Sequence, residues 1–170
     1  MSDRWRYDGR RVVVTGCASG IGAHLAAQLA DLGAHVTGLD LRKPQDLPAE
    51  FIEVDFADAG SIDSAVAAID GPVDALFNVA GVSSGIGNPL LVVTINFLGM
   101  RHFTEGLLPL MPTGSAIANV SSLAAANYLA NTSVTAGLLA TTSMADGIDW
   151  CHHNPDALSD GGYRHSKEAI

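Results

Sequence analysis

The apolar positions of this chain fall into short runs separated by glycine and polar turns, and their period changes from run to run. Val12, Val13 and Val14 make an unbroken apolar run inside Arg11–Thr15, which predicts a strand buried on both faces. From Ile21 to Leu32 the period lengthens: Ile21, Leu25, Leu29 and Leu32 fall on one helical face, and Gly33 closes the helix. Ala34 to Asp40 and Phe51 to Phe56 read as the second and third strands. Ile62 to Ile69 reads as a helix with Ile62, Val66 and Ile69 on one side. Val73 to Val79 gives a fourth strand ending at Ala80-Gly81, Leu91 to Leu108 one long apolar helix, and Ser115 to Val120 a fifth strand. Strands alternating with helices predict an α/β fold, a doubly wound parallel sheet of the Rossmann type covered on both faces. The length, 170 residues, suits a single domain over 1–170.

Charge narrows the choice of partners. Eighteen acidic against nine basic side chains leave a net charge of −9, a field that repels nucleic-acid backbones and anionic membranes. Met1 to Arg6 is charged and lacks the apolar core of a leader, and no run approaches the roughly 18 apolar residues of a membrane span. We therefore expect a cytoplasmic protein with no nucleic-acid or membrane partner. Two cysteines, Cys17 and Cys151, do not make a disulfide framework and read as reduced thiols.

Candidate chemistry gathers where strands end, the place where a parallel α/β sheet receives its ligand. Thr15-Gly16-Cys17-Ala18-Ser19-Gly20-Ile21-Gly22 joins the first strand to the first helix. Gly16 permits a tight exit, Gly20 lets backbone approach a phosphate, and Gly22 lets the helix lie close to the sheet, with the amides of Ser19 and Ile21 available to an anion. The spacing G-x-x-x-G-x-G departs from the commoner G-x-G-x-x-G, and a purely structural turn is the competing reading.

Asp40 ends the second strand, 18 residues after Gly22, where a carboxylate can accept both hydroxyls of an adenosine ribose and repel a 2′-phosphate. NAD is therefore expected over NADP, although Arg42 and Lys43 follow closely and could meet a phosphate; a solvated acid at a strand end is the alternative. Asp55 either takes the adenine amino group or caps a helix, and Phe56 beside it could flank the ring. Asn78, Val79, Ala80 and Gly81 close the fourth strand with residues small enough to admit the adenine-ribose half.

Tyr163 and Lys167 stand four residues apart, on one helical face. An ammonium beside a phenol favours the phenolate, so Tyr163 reads as a general base for an alcohol or a general acid for a carbonyl, with Lys167 also reaching the nicotinamide ribose. Ser121 and Ser122 end the fifth strand, where a hydroxyl can orient a substrate oxygen. Asn96 is a polar amide inside an apolar helix, explained either by a structural water or by a proton relay behind Lys167. Cys151-His152-His153 with Asp149 and Asp156 lacks the ligand spacing of a zinc site, and no metal is expected.

Together these motifs resemble the short-chain dehydrogenase/reductase family: T-G-x-x-x-G-I-G at Thr15–Gly22, Asp40, N-x-A-G at Asn78–Gly81, Asn96, N-V-S-S at Asn119–Ser122 and Y-x-x-x-K at Tyr163–Lys167. The resemblance implies a catalytic tetrad of Asn96, Ser122, Tyr163 and Lys167, with Ser122 steadying the substrate oxygen and Asn96 positioning a relay water. It implies hydride transfer between NAD and a hydrophobic alcohol or carbonyl, either an aryl-allylic alcohol such as coniferyl alcohol or a hydroxysteroid. Two departures stand out. Val79 replaces a second asparagine, and 41 positions separate Ser122 from Tyr163, more than in most of the family. Residues 127–161 thus read as an insert, similar to that of the coniferyl-alcohol and 3α-hydroxysteroid dehydrogenase branch, with a helix suggested by Val134, Leu138, Leu139, Ala145 and Ile148. The insert would crowd the surface that many relatives use for pairing, so a homo-oligomer with a different interface is expected for a full-length chain. Family members are longer. The expectation is a C-terminally incomplete domain lacking the last strands, with the fifth strand left as an exposed edge; the alternative is a truncated dinucleotide-binding module with little catalysis.

Overall fold

A computed structural model describes residues 6–45 and 50–170. Met1 to Trp5, most of the stretch that argued against a leader, lie outside the described residues. Among the described residues no helix is long and apolar enough to cross a membrane. The chain divides into two compact units: Met1–Asp55, Asp63–Ala80 and Gly106–Asn119 form the first; Phe56–Ile62, Gly81–Glu105 and Val120–Ile170 form the second.

The first unit holds the sheet. Strands β1 (Arg11–Thr15), β2 (His35–Asp40), β3 (Glu50–Glu53), β4 (Ala75–Asn78) and β5 (Ala116–Asn119) are all parallel, in the order β3-β2-β1-β4-β5. The order reverses beside β1, where the chain leaves toward β2 on one side and later returns as β4 on the other. Such a reversal leaves a crevice at the strand ends. The expected α/β class is observed. Val12, Val13 and Val14 are at most 2% exposed, as their unbroken apolar run predicts.

Helix α1 (Gly20–Asp31) covers the sheet with a face that keeps Leu29 and partly Leu25 from the expected set but leaves Ile21 out. Gly22, Ala26 and Leu29 are buried, whereas Ile21 is 66% exposed. The reason is backbone proximity: a Cβ on Gly22 would sit 2.0 Å from the Gly16 carbonyl oxygen, so the helix turns its smallest residues inward. The resulting core joins Val12, Val14, Cys17, Ala26, Leu29, Val36 and Ala75. β5 forms an edge on which every residue is exposed, Ile117 included at 40%, as anticipated.

Helix α2 spans Ala59–Ala67, starting earlier than the apolar spacing suggests; the Gly60 amide donates to Asp58 Oδ1 at 2.8 Å and secures its first turn. The long helix expected over Leu91–Leu108 is instead a composite: α3 (Pro89–Val93), a π-helical stretch Thr94–Gly99, and α4 (Met100–Leu107). Within the second unit, a Cβ on Gly99 would lie 2.1 Å from the Phe56 carbonyl oxygen, so the widened turn accompanies a very close backbone approach.

The insert also differs from expectation. Two helices, α5 (Thr132–Leu139) and α6 (Met144–His153), replace the single one, because Ser143 caps α6 by accepting from the Asp146 amide at 3.1 Å. The link between them is tied to Arg101, which donates to Thr141 Oγ1 at 3.1 Å. Leu138, Met144 and Cys151 are buried. A short helix α7 (Tyr163–Glu168) follows.

Candidate functional site

In the first unit, the turn after β1 is fastened on both sides. The amides of Gly16 and Cys17 donate to the Leu39 carbonyl at 2.8 and 3.2 Å, tying it to the end of β2. Thr15 Oγ1 accepts from the amides of Val79 and Ala80 at 3.0 Å each, tying it to the end of β4. A Cβ on Gly16 would come within 2.8 Å of the Ala80 backbone. Gly20 is different: it adopts φ +54° and a Cβ there would meet nothing within 4 Å. Ser19, Gly20 and Ile21 are exposed, and Ser19 makes no side-chain capping bond to α1.

Asp40 is held at the same end of the sheet. Its Oδ2 accepts from the Ala18 amide at 2.9 Å and its Oδ1 from the Leu41 amide at 2.7 Å. Each carboxylate oxygen keeps a second acceptor position. Burial, and then the charge of Asp40, push the Cys17 thiol up to about 11. Cys17 is therefore an inert filler of the turn. These residues fit the adenosine end of a dinucleotide: an open glycine position with exposed amides suits a phosphate, and an acid with unused lone pairs suits a ribose diol. Arg42 and Lys43 are exposed.

Two expected cofactor contacts are redirected. Phe56 is only 6% exposed and stacks edge to face on Phe103, with centroids 5.7 Å apart, so its ring belongs to the core and does not flank a ligand. Asn78 is 2% exposed and its Nδ2 donates to Asn119 Oδ1 at 2.9 Å, which joins β4 to β5. Asp55 is half-buried just past β3.

The second unit brings Asn96, Gly81 and Lys167 together. Asn96 is fully buried in the π-helical turn; its Oδ1 accepts from the Val82 amide at 2.8 Å, and its Nδ2 donates to the Val82 carbonyl at 2.9 Å and to Ser166 Oγ at 3.2 Å. Both amide protons are thus committed to protein. The Asn96 side chain therefore clamps the Val82 backbone and reaches Ser166. Gly81 adjoins it: a Cβ there would lie 3.1 Å from Asn96 Oδ1 and 3.6 Å from Lys167 Nζ.

Lys167 is 6% exposed, donates to the Val120 carbonyl at 2.8 Å, and holds Nζ 5.9 Å from the centre of the Tyr163 ring. Burial pushes its pKa down. The helix bearing both residues is capped by Gly162, whose φ is +75° and on which a Cβ would clash with the Pro89 carbonyl oxygen at 2.3 Å. Only glycine meets both demands. Ser121 Oγ donates to the Lys167 carbonyl at 2.7 Å, whereas Ser122 Oγ accepts from the Ala124 amide at 3.2 Å and keeps its proton. An open groove of about 570 Å³ runs past Ser121, Tyr128, Ala136, Leu139 and Lys167, mostly apolar in its lining. His152 and His153 are exposed while Cys151 is buried, its thiol pushed up to about 11, so these three do not converge.

Sequence reasoning missed Val82, Val120, Gly162 and Ser166. The last two carried a signal, a Gly-Gly pair immediately before Tyr163 and a serine between the phenol and the ammonium. The first two act through backbone atoms, which no side-chain pattern reveals.

Comparisons with known proteins agree with the parallel α/β fold. The family model described as short chain dehydrogenase matches residues 10–137. Coniferyl-alcohol dehydrogenase from a Pseudomonas species is 35% identical over 161 residues, covering 95% of this chain and 62% of the relative. L-xylulose reductase from Mesocricetus auratus is 34% identical over 147 residues, covering 74% and 58%. Among solved structures, the 3-alpha-hydroxysteroid dehydrogenase of a Pseudomonas species, complexed with NADH, superposes with a TM-score of 0.74 at 31% identity, covering 94% of this chain and 62% of that one. The chain thus spans about three fifths of the length of these relatives.

Proposed function

Because the chain belongs to the short-chain dehydrogenase family, we propose that it is an NAD-dependent oxidoreductase that uses Tyr163 to exchange a proton with a hydrophobic alcohol or carbonyl. The observation that carries this reading is the buried Lys167, whose Nζ lies 5.9 Å from the Tyr163 ring. A cation held beside a phenol favours loss of the phenolic proton, which is what a base acting on an alcohol needs.

Each residue has a part. Gly20 and the amides of Ser19 and Ile21 receive the pyrophosphate, and Asp40 accepts the adenosine ribose hydroxyls on the lone pairs left by Ala18 and Leu41. The same carboxylate repels a 2′-phosphate, which favours NAD over NADP. When bound, the nicotinamide supplies the hydride acceptor or donor. Tyr163 takes the alcohol proton, or returns one to a carbonyl. Ser122 donates to the substrate oxygen, a task open to it because its proton is uncommitted, while that of Ser121 goes to Lys167. The apolar groove beside Lys167 supports a hydrophobic substrate, in keeping with the relatives named for coniferyl alcohol and a hydroxysteroid.

The test is a pair of titrations with NAD and NADP beside a turnover assay on coniferyl, cinnamyl and steroid alcohols, following reduced nicotinamide. Tighter binding of NAD and reduction with at least one alcohol are expected. Equal affinity for NADP would remove the specificity assigned to Asp40. A second reading, a dinucleotide-binding module with little catalysis, draws on the exposed edge strand β5; binding of NAD without any reduction would favour it.

A further inference from the structure

Ser166 is fully buried between the two residues of the chemical pair, yet the scheme above gives it no part. Its hydroxyl accepts from Asn96 Nδ2 at 3.2 Å and donates to the Tyr163 carbonyl at 2.7 Å. Asn96 is in turn fixed by two bonds to the Val82 backbone. An unbroken chain of hydrogen bonds therefore runs from Val82 through Asn96 and Ser166 to the backbone of Tyr163.

We infer that Ser166 is a positioning residue: it passes the fixed placement of Asn96 to the first turn of α7 and so sets where the Tyr163 phenol stands. The inference rests on the reading of Tyr163 as the proton-exchanging group. Its physical basis is the weakness of α7 alone. An isolated helix needs on the order of 12–15 residues to persist in water, and α7 has six. Its N-cap is Gly162, which offers no side-chain acceptor to the first turn. Placement of the helix start must then come from tertiary contacts. Gly162 supplies one through its close approach to Pro89, and Asp160 holds the first turn locally, accepting from the Gly162 amide at 3.2 Å and pairing with Arg164 Nε at 2.8 Å. Ser121 and Val120 hold the far end of the helix at Lys167. Ser166 supplies the bond that ties the Tyr163 backbone to Asn96.

Removing the hydroxyl strands a buried Asn96 N–H and releases the Tyr163 carbonyl from its lateral bond. The phenol is then free to drift, and a displacement of about 1 Å at a reacting group can lower a rate by roughly a hundredfold.

The experiment uses the whole chain and two readouts. The first is turnover at saturating dinucleotide for Ser166→Ala, Asn96→Ala and the double variant. We expect kcat to fall roughly tenfold to a hundredfold in Ser166→Ala with dinucleotide affinity little changed, and the double variant to be no worse than the weaker single one, because both break one chain of bonds. The second readout does not depend on activity. With 3-fluorotyrosine incorporated at Tyr7, Tyr128 and Tyr163, and the third resonance assigned through Tyr163→Phe, Ser166→Ala should shift or broaden the Tyr163 fluorine signal and leave the other two in place. Should Ser166→Ala fail to fold, Ser166→Cys keeps a slightly larger γ atom in place and weakens both bonds. A Tyr163 signal unchanged in position and width, or a kcat equal to wild type, overturns the inference. A wild-type chain that turns over nothing defeats the proposed function alone, since the fluorine signal still reports the placement of the phenol.

Discussion

The backbone amide of Ala18 donates to Asp40 Oδ2 at 2.9 Å, so the acid that ends β2 is fastened to the glycine turn that follows β1. Asp40 anchors the turn and, on the proposed reading, also receives the adenosine ribose, so one substitution would remove both. Asp40→Ala should weaken NAD, relax the rejection of NADP and lower stability by about 1–3 kcal/mol, since the Ala18 amide loses a charged partner. Dinucleotide titrations beside urea unfolding check this. Lost stability with both affinities unchanged would leave Asp40 as a turn anchor only.

The three glycines of the turn should respond differently to alanine. Gly22→Ala places a Cβ 2.0 Å from a backbone oxygen that cannot move aside, so the loss should be about 3 kcal/mol or more. Gly16→Ala should also destabilise, against the Ala80 backbone. Gly20→Ala meets no atom and strains only its left-handed backbone, costing about 1–2 kcal/mol. It should fold yet bind dinucleotide poorly. Unfolding curves and NAD titrations on the three variants would show whether Gly20 serves the ligand and the others serve the fold.

Tyr163→Phe keeps the ring that Lys167 faces and removes only the proton-carrying oxygen. Turnover should disappear while NAD affinity stays within a few-fold. An unchanged rate would mean that the base lies elsewhere.

Cys17 and Cys151 are both buried, with thiols pushed from 9.0 up to about 11. Neither should react with a disulfide reagent at pH 8 in the native protein, and both should react once denaturant is added. The linkage has a definite sign. The folded values exceed the unfolded ones, so this contribution to stability is fully present below pH 9 and is lost as pH rises through about 11. Replacing both cysteines by serine should flatten that alkaline decline; an identical decline would assign it to other groups.

What could be read directly from the chain were features whose physics is local. Val12–Val14 had to be a buried strand because no polar position interrupts it. Gly20 marked a turn because its backbone needs a positive φ, and Tyr163 and Lys167 shared a face because a helix repeats every 3.6 residues. The strand order and the pairing of Thr15 with the end of β4 followed the expected parallel class, whose few topologies leave little choice.

Tertiary structure decided the rest, wherever one residue has two chemically sensible partners far apart in sequence. Phe56 could flank a ligand or fill a core, and Phe103 settles it. Asn96 stood in an apolar helix with no local partner for its amide, and Val82 with Ser166 takes both of its Nδ2 protons. Ile21 lay on the apolar face by period, yet the approach of Gly22 to Gly16 turned it outward. By itself the sequence determined the α/β class, the glycine turn and the spacing of phenol and ammonium, because backbone sterics and helical period act over a few residues. Which polar groups remain available for chemistry was decided only in three dimensions, because a hydrogen bond between Asn96 and Ser166 joins residues that no local rule connects.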